Sequence, residues 1–291
     1  MGATDKMAGL RLEDLEPQAW HLSHGVELHT VRAGQGRPMV LIHGAMGDWR
    51  GWGGQWPVLT RQFDCISYSR RYSHPNRNDM PSPDHGALHE AEDLRLLLEA
   101  MDLREPVILV GSSYGGFVAL ALAARHPHLV RAVVAVEPPM MKYAERSARG
   151  AAVVQAFRRE VIDPARVAFA DGDDLRASQI MTAGIGGAGA PPAGSEAMTR
   201  RMQNMRAMKM LNLSSDEFPW ISPEGLRALP MPVMLLSGEN TPPVHAAIFE
   251  AVCEAMPAAR KHKVPGSGHS VSRDQPETFN KLVWEFLGAP V

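Results

Sequence analysis

Two hydrophobic periodicities alternate along this chain. Short apolar runs at Met39–Ile42, Cys65–Tyr68, Val107–Val110 and Ala132–Val136 are unalternated and rich in Val, Ile or Leu. Such runs predict strands buried on both faces of a parallel sheet. Helical patterns separate them. Ala87–Met101 gathers Leu94, Leu97, Leu98 and Met101 on one face, and Tyr114–Arg125 is apolar nearly all round, predicting a buried helix. Upstream, the stretch from Trp20 to Arg32 alternates around a glycine turn and predicts a hairpin at a sheet edge, while residues 1–18 read as a poorly specified leader. The rhythm resumes at Val233–Ser237, then a helix at His245–Met256, a strand near His262–Val264 and a closing helix over Glu277–Leu287. Strand–helix–strand alternation with right-handed crossovers predicts an α/β fold built on a doubly wound, mostly parallel sheet.

Between residues 140 and 229 the pattern breaks into mixed helical stretches, a Gly/Pro tract at 184–196 and the sequence MTRRMQNMRAMKM at 198–210. Ninety residues are too many for a structureless loop in a compact domain. The expected organisation is therefore a catalytic core over 19–139 and 230–291, interrupted by a small helical lid with one flexible segment. Met198, Met202, Met205 and Met208 fall on one helical face. They predict packing of the lid on the body and a deformable apolar wall for substrate, Met202 and Met205 in particular.

Composition narrows the classes of function. Thirty Lys and Arg balance 32 Asp and Glu, so no polyanion-binding surface is expected, whether for nucleic acid or for a membrane. No run approaches the ~20 apolar residues of a membrane span and the first residues lack an apolar signal core. A soluble, cytoplasmic setting is expected. Two cysteines, Cys65 and Cys253, are too few for a disulfide scaffold and lie outside any metal-ligand spacing.

The chemistry-bearing signal is Gly111-Ser112-Ser113-Tyr114-Gly115, a G-x-S-x-G. Its context gives it weight, because a predicted strand ends just before it and a helix begins just after. That turn lifts a serine hydroxyl clear of the backbone, with glycines where a Cβ would clash. Ser113 is the candidate nucleophile; Ser112 lacks the flanking glycines at the right offsets. A serine needs a base, and His269, in Pro265-Gly266-Ser267-Gly268-His269 after a short strand, can fold over the carboxyl ends of the strands. The loop His43-Gly44-Ala45-Met46-Gly47-Asp48 leaves the same edge, so the Ala45 and Tyr114 amides are candidates for an oxyanion hole and Met46 for a substrate contact. His43 reads as a structural loop histidine.

These motifs, HGAMGD, GSSYGG and PGSGH in that order, make the chain from about Gly25 to Leu287 resemble the α/β-hydrolase superfamily. The resemblance implies a nucleophile after the fifth strand, a lid after the sixth and a histidine after the eighth. A serine nucleophile argues against the branches that use aspartate, the dehalogenases and epoxide hydrolases. The family's usual acid position after the seventh strand holds Thr241, in Gly238-Glu239-Asn240-Thr241-Pro242. Threonine cannot carry the charge that orients an imidazole. Glu239 is adjacent, but Glu137, at the carboxyl end of the sixth strand, is preferred, as in some lactonases and macrolide esterases. In place of the family's glycine-containing turn after the fourth strand stands Ser69-Arg70-Arg71-Tyr72-Ser73. Arg70 or Arg71 can meet a substrate carboxylate or, the preferred reading, pair with acids in the fold. The resemblance implies a serine hydrolase of a small-molecule carboxylic ester or lactone, macrocyclic lactones included, with no metal or organic cofactor. The alternatives are a C–C bond hydrolase of ring-cleavage products, a cofactor-free peroxidase or acyltransferase, and a non-catalytic receptor.

Overall fold

A computed structural model describes residues 11–80, 84–187 and 189–288. Eight strands form one sheet: β1 Gln18–His21, β2 Glu27–Ala33, β3 Arg37–Ile42, β4 Phe63–Tyr68, β5 Val107–Ser112, β6 Val130–Val136, β7 Val233–Gly238 and β8 Arg260–Val264. Their spatial order is β1-β2-β4-β3-β5-β6-β7-β8. The hairpin expected around Trp20 is present, with Trp20 opposite Leu28, and β2 runs antiparallel to β4. Every pairing from β3 and β4 onward is parallel.

The helices that follow are α1 Ala87–Ala100, α2 Tyr114–Arg125, α3 Ala148–Phe157, α4 Asp163–Ala170, α5 Asp174–Gly186, α6 Glu196–Gln203, α7 Met205–Leu213, α8 Pro243–Ala255 and α9 Pro276–Leu287. One-turn helices intervene at Met141–Ala144, Pro223–Arg227 and Val271–Asp274. Alternate strand residues feed two separate apolar layers. Val40, Ile42, Leu109, Val133 and Leu235 join the layer under α1, α2 and α8, whereas Met39, Leu41, Ile108, Val134 and Leu236 join that of Trp52, Trp56 and Phe279. This is why the strand runs lack polar alternation: neither face meets water.

Between β6 and β7 the chain runs through five helices, α3 to α7, whose Phe157, Phe169, Met181 and Met208 merge into the first of these layers. Two expectations need correction. Residues 11–18 are not a loose leader: Leu12 and Leu15 are buried in the second layer, and Glu13 pairs with Arg200 at 2.5 Å. Residues 1–10 lie outside the described residues. The methionine pattern does not ride on one helix either, because the chain breaks at Asn204 between α6 and α7. Asn204 is buried; its amide donates to Asp48 Oδ2 at 2.8 Å and its carbonyl accepts from His74 N at 2.9 Å. The insertion is thus fastened to two loops at the carboxyl edge of the sheet. Among the described residues no helix is long and apolar enough to cross a membrane.

Candidate active site

Ser113 sits between β5 and α2 with φ 51° and ψ −121°, a conformation costly for a residue with a Cβ. The turn is held from several sides. Ser113 N donates to Val136 O at 2.7 Å, and its own carbonyl accepts from Gly116 N at 2.8 Å. The glycine two positions on is dictated by β3: a Cβ at Gly115 would lie 2.1 Å from Ile42 O and 2.6 Å from His43 O. Close approach of α2 to the end of β3 brings the HGAMGD loop against the serine. Tyr114 N opens α2, where an amide has no intrahelical acceptor. Among the described residues no acceptor engages the Ala45 amide either. Both residues line cavities with Ser113.

Glu137 follows directly on β6 and also adopts a positive φ, 41°. Its carboxylate is buried and fully engaged. Oε1 accepts from Ser237 Oγ at 2.7 Å and Gly238 N at 2.8 Å; Oε2 accepts from Thr241 Oγ1 at 2.7 Å and faces His269 Nδ1 at 2.5 Å. Thr241 is therefore a donor to the Glu137 carboxylate. Gly238 lets the two loops meet, since a Cβ there would lie 2.1 Å from Gly268 O. His269 Nε2 is left buried without a partner among the described residues, and the ring lines the same cleft as Ser113. Glu239, the other carboxylate considered, points away, its Oε2 accepting from Gly266 N at 3.1 Å.

A second histidine escaped the sequence reading. His245, in α8, stacks on His269 with ring centroids 3.9 Å apart and planes 20° from parallel. Burial, and then the neighbouring His269, pushes its imidazole well below the usual histidine range, so the ring is neutral. Its Nε2 faces Ile185 O at 3.1 Å. Glu137, His245 and His269 bring ligand atoms within 4.8 Å of one another. Stacked rings, however, direct their lone pairs into parallel planes and not toward one point, so the trio does not form a coordination sphere. The signal for His245 was three-dimensional; in sequence it begins an ordinary amphipathic helix.

The arginine loop serves the fold. Arg70 is 1% exposed, pairs with Glu90 Oε2 at 2.6 Å and donates to Gly44 O at 3.2 Å, so it braces the HGAMGD loop from behind and lines no cavity at the serine. Arg71 pairs with Asp93 one turn along α1, with Nε 2.7 Å from Oδ2. The reading of Arg70 as a substrate contact is corrected accordingly: its charge is already neutralised inside the protein. His43 accepts from Arg70 N at 3.0 Å, and burial followed by the Arg70 charge lowers it to about 3, as suits a structural histidine.

Two compartments meet at Ser113. An inner chamber of about 50 Å³ is walled by Met141, Phe157, Ile162, Met181, Met208 and Leu211. An outer cleft of about 660 Å³ is lined by Met46, Trp52, Thr182, Pro191, Arg201 and Arg273 besides His269. Met46, a candidate substrate contact, is thus among the residues lining that cleft. Met202 and Met205 are not: they pack into the core, and their neighbour Met208 forms the wall instead, because the break at Asn204 rotates α7 relative to α6.

The chain is similar to known proteins over nearly its whole length. A 2-hydroxy-6-oxo-6-(2'-aminophenyl)hexa-2,4-dienoic acid hydrolase of Metapseudomonas resinovorans is 23% identical, covering 90% of this chain and 88% of the relative. A 2-(acetamidomethylene)succinate hydrolase of Mesorhizobium japonicum is 28% identical, covering 91% and 92%. Among solved structures, carboxylesterase CesB (YbfK) from Bacillus subtilis superposes with a TM-score of 0.69 at 20% identity, over 96% of this chain and 94% of that one. The model of the alpha/beta hydrolase family matches residues 39–282, from the third strand of the sheet into its closing helix, and on that extent the chain belongs to the alpha/beta hydrolase family.

Proposed function

We propose that this chain is a serine hydrolase of carboxylic esters, with the helices between β6 and β7 acting as a lid over the reacting carbonyl. The observation that carries the reading is the His269–Glu137 pair, 2.5 Å apart and buried, with the second ring nitrogen left without a partner in a ring that lines the same cleft as Ser113. Ser113 Oγ attacks the carbonyl carbon as His269 Nε2 takes its proton, and Glu137 holds Nδ1–H and stabilises the imidazolium. The amides of Ala45 and Tyr114 receive the oxyanion, which then collapses and expels the alcohol with the proton from His269. Water, deprotonated by the same ring, releases the acid and frees Ser113. No step calls for a metal or organic cofactor.

The two compartments divide the substrate. The inner chamber has room for a few heavy atoms, since one water-sized group takes roughly 10–15 Å³ on the same scale. A short apolar acyl group suits it, and the bulk of the molecule, whether open-chain or a lactone ring, belongs in the outer cleft. The test is a chromogenic short-chain ester. Ser113→Ala and His269→Ala are each expected to lower kcat by about 10⁴-fold or more, and a fluorophosphonate is expected to label Ser113 alone. Wild-type turnover in either variant would refute the reading. The dienoic acid hydrolase relative favours one second reading, hydrolysis of a C–C bond with the same serine and histidine. Faster cleavage of a dienoic diketone than of an ester of equal size would select it.

A further inference from the structure

Nearly every cation around the cleft already has its counter-charge. Arg50 pairs with Asp48 at 2.5 Å, Arg70 with Glu90 at 2.6 Å, and Arg200 with Glu13 at 2.5 Å and Glu196 at 3.0 Å. Arg201, on α6, differs. It is half-buried in the wall of the Ser113–His269 cleft, and among the described residues its guanidinium has no ion pair and no hydrogen bond.

Arg273, in the one-turn helix that follows His269, lines the same cleft with an exposed side chain. Its Nη2 donates to Ser270 Oγ at 2.9 Å, and its nearest carboxylate is Asp274, 3.9 Å away on an exposed contact. Asp274 is itself engaged, its Oδ2 accepting from Gly268 N at 3.0 Å. Burial, then the like charge of Arg273, pushes the Arg201 guanidinium below its ordinary value. Two cations facing one cavity repel each other, and the half-buried one has lost part of its hydration without gaining a partner. Arg201 and Arg273 present two guanidinium groups to the cleft; of the nearby carboxylates, Asp274 is held by Gly268 N and Glu137 is buried behind His269, so neither reaches Arg201. A planar fork of N–H donors accepts a carboxylate through two parallel hydrogen bonds.

Resting on the ester-hydrolase reading, we propose that Arg201, assisted by Arg273, holds a carboxylate on the leaving-group side of the substrate, so that the chain acts on short-acyl esters of hydroxy acids. The inner chamber is apolar and closed to such a charge; the outer cleft holds both arginines. A carboxylate bound between them also ties α6 of the lid to the loop that carries His269, so recognition of the acid draws the insertion onto the catalytic histidine.

The experiment measures binding of two stable product-type ligands, 4-hydroxybenzoate and 4-hydroxybenzamide, by titration calorimetry at low salt. The whole protein is expected to prefer the carboxylate by about tenfold or more, the scale of a hydrogen bond to a charged group. Arg201→Gln is expected to bring the ratio near one. Arg273→Gln should lower it part-way, and Arg200→Gln, which removes a neighbouring but paired cation, should keep it. Equal binding of the two ligands by the wild type, no binding of either, or a preference that survives both Arg201→Gln and Arg273→Gln would overturn the proposal. Labelling of Ser113 by a fluorophosphonate is read separately: it stands if only the carboxylate site is wrong, and fails if the hydrolase reading is wrong.

Discussion

At Ser113 and Glu137 the backbone takes up positive φ angles, 51° and 41°, that few side-chain-bearing residues adopt. Each is over-determined by its neighbours: Ser113 N by Val136 O, Glu137 N by Leu236 O. The strain sits where two side chains leave the ends of adjacent strands, Ser113 into the cleft and Glu137 to the buried side of His269, and the surrounding sheet maintains it. The same geometry supports Glu137 as the acid of the proposed triad. Glu137 Oε2 lies 2.5 Å from His269 Nδ1, whereas Glu239 caps a turn at Gly266. Glu137→Gln keeps the shape and removes the charge that fixes the tautomer, so kcat is expected to fall by about 10³- to 10⁴-fold. Glu239→Gln should change kcat less than about threefold, since surface substitutions of this kind have small effects. Steady-state kinetics on one chromogenic ester decides it, and the opposite ranking would move the acid to the seventh strand.

Between elements, the ends of β6 and β7 share one function. Thr241, just past β7, donates at 2.7 Å to the Glu137 oxygen that His269 faces. An aspartate at 241 would bring its own carboxylate to that imidazole. In the wild type Thr241→Asp puts two carboxylates in one buried pocket and should lower both activity and stability. In the Glu137→Gln background the same change should restore at least about tenfold of the lost kcat, a reversal of sign that only groups in direct contact produce. No rescue in the double variant would mean that the β7 loop cannot reach His269. Much of this scale was legible in sequence. Strand runs are legible because both faces are buried; Ser113 and Glu137 stand out because each follows directly on a strand end, and His269 because a glycine-rich loop carries it five residues past β8. The methionine wall was misread because one residue, Asn204, hydrogen-bonds across to Asp48 and His74 and breaks the helix there. Helical periodicity cannot register a tertiary hydrogen bond. For the same reason Arg201 looked like any other surface cation: only the fold reveals which arginines lack an acid.

Over the whole molecule, the sheet's carboxyl edge is built on buried groups that must keep one charge state. His43 and His245 are held neutral: burial lowers the first to about 3 and the second well below its usual range. Glu90 is held ionised. Burial alone would raise it, but Arg70 and His85 bring it down to about 2. Each folded-state value lies below its unfolded one, so in each case the unfolded chain binds protons first as the pH falls. His43 therefore contributes stability that is complete above about pH 6.5 and is lost as pH falls through the range toward 3, with a slope of about 1.4 kcal/mol per pH unit, and His245 loses its share in the same direction. Glu90 adds a loss of its own that begins only below about pH 4.5 and continues toward 2. His74, His89 and His126, also pushed down by burial, act in the same direction as the other histidines. Urea denaturation at pH 7.5, 6.0 and 5.0 should show the midpoint falling steadily with acidification, before carboxylate titration contributes. Replacing His43 by asparagine, which can still accept from Arg70 N but takes up no proton, should reduce that slope between pH 6.0 and 5.0. A midpoint unchanged from pH 7.5 to 5.0 would mean that the buried imidazoles are protonated as readily in the fold as outside it, and the neutral His43 accepting from Arg70 N would have to be abandoned.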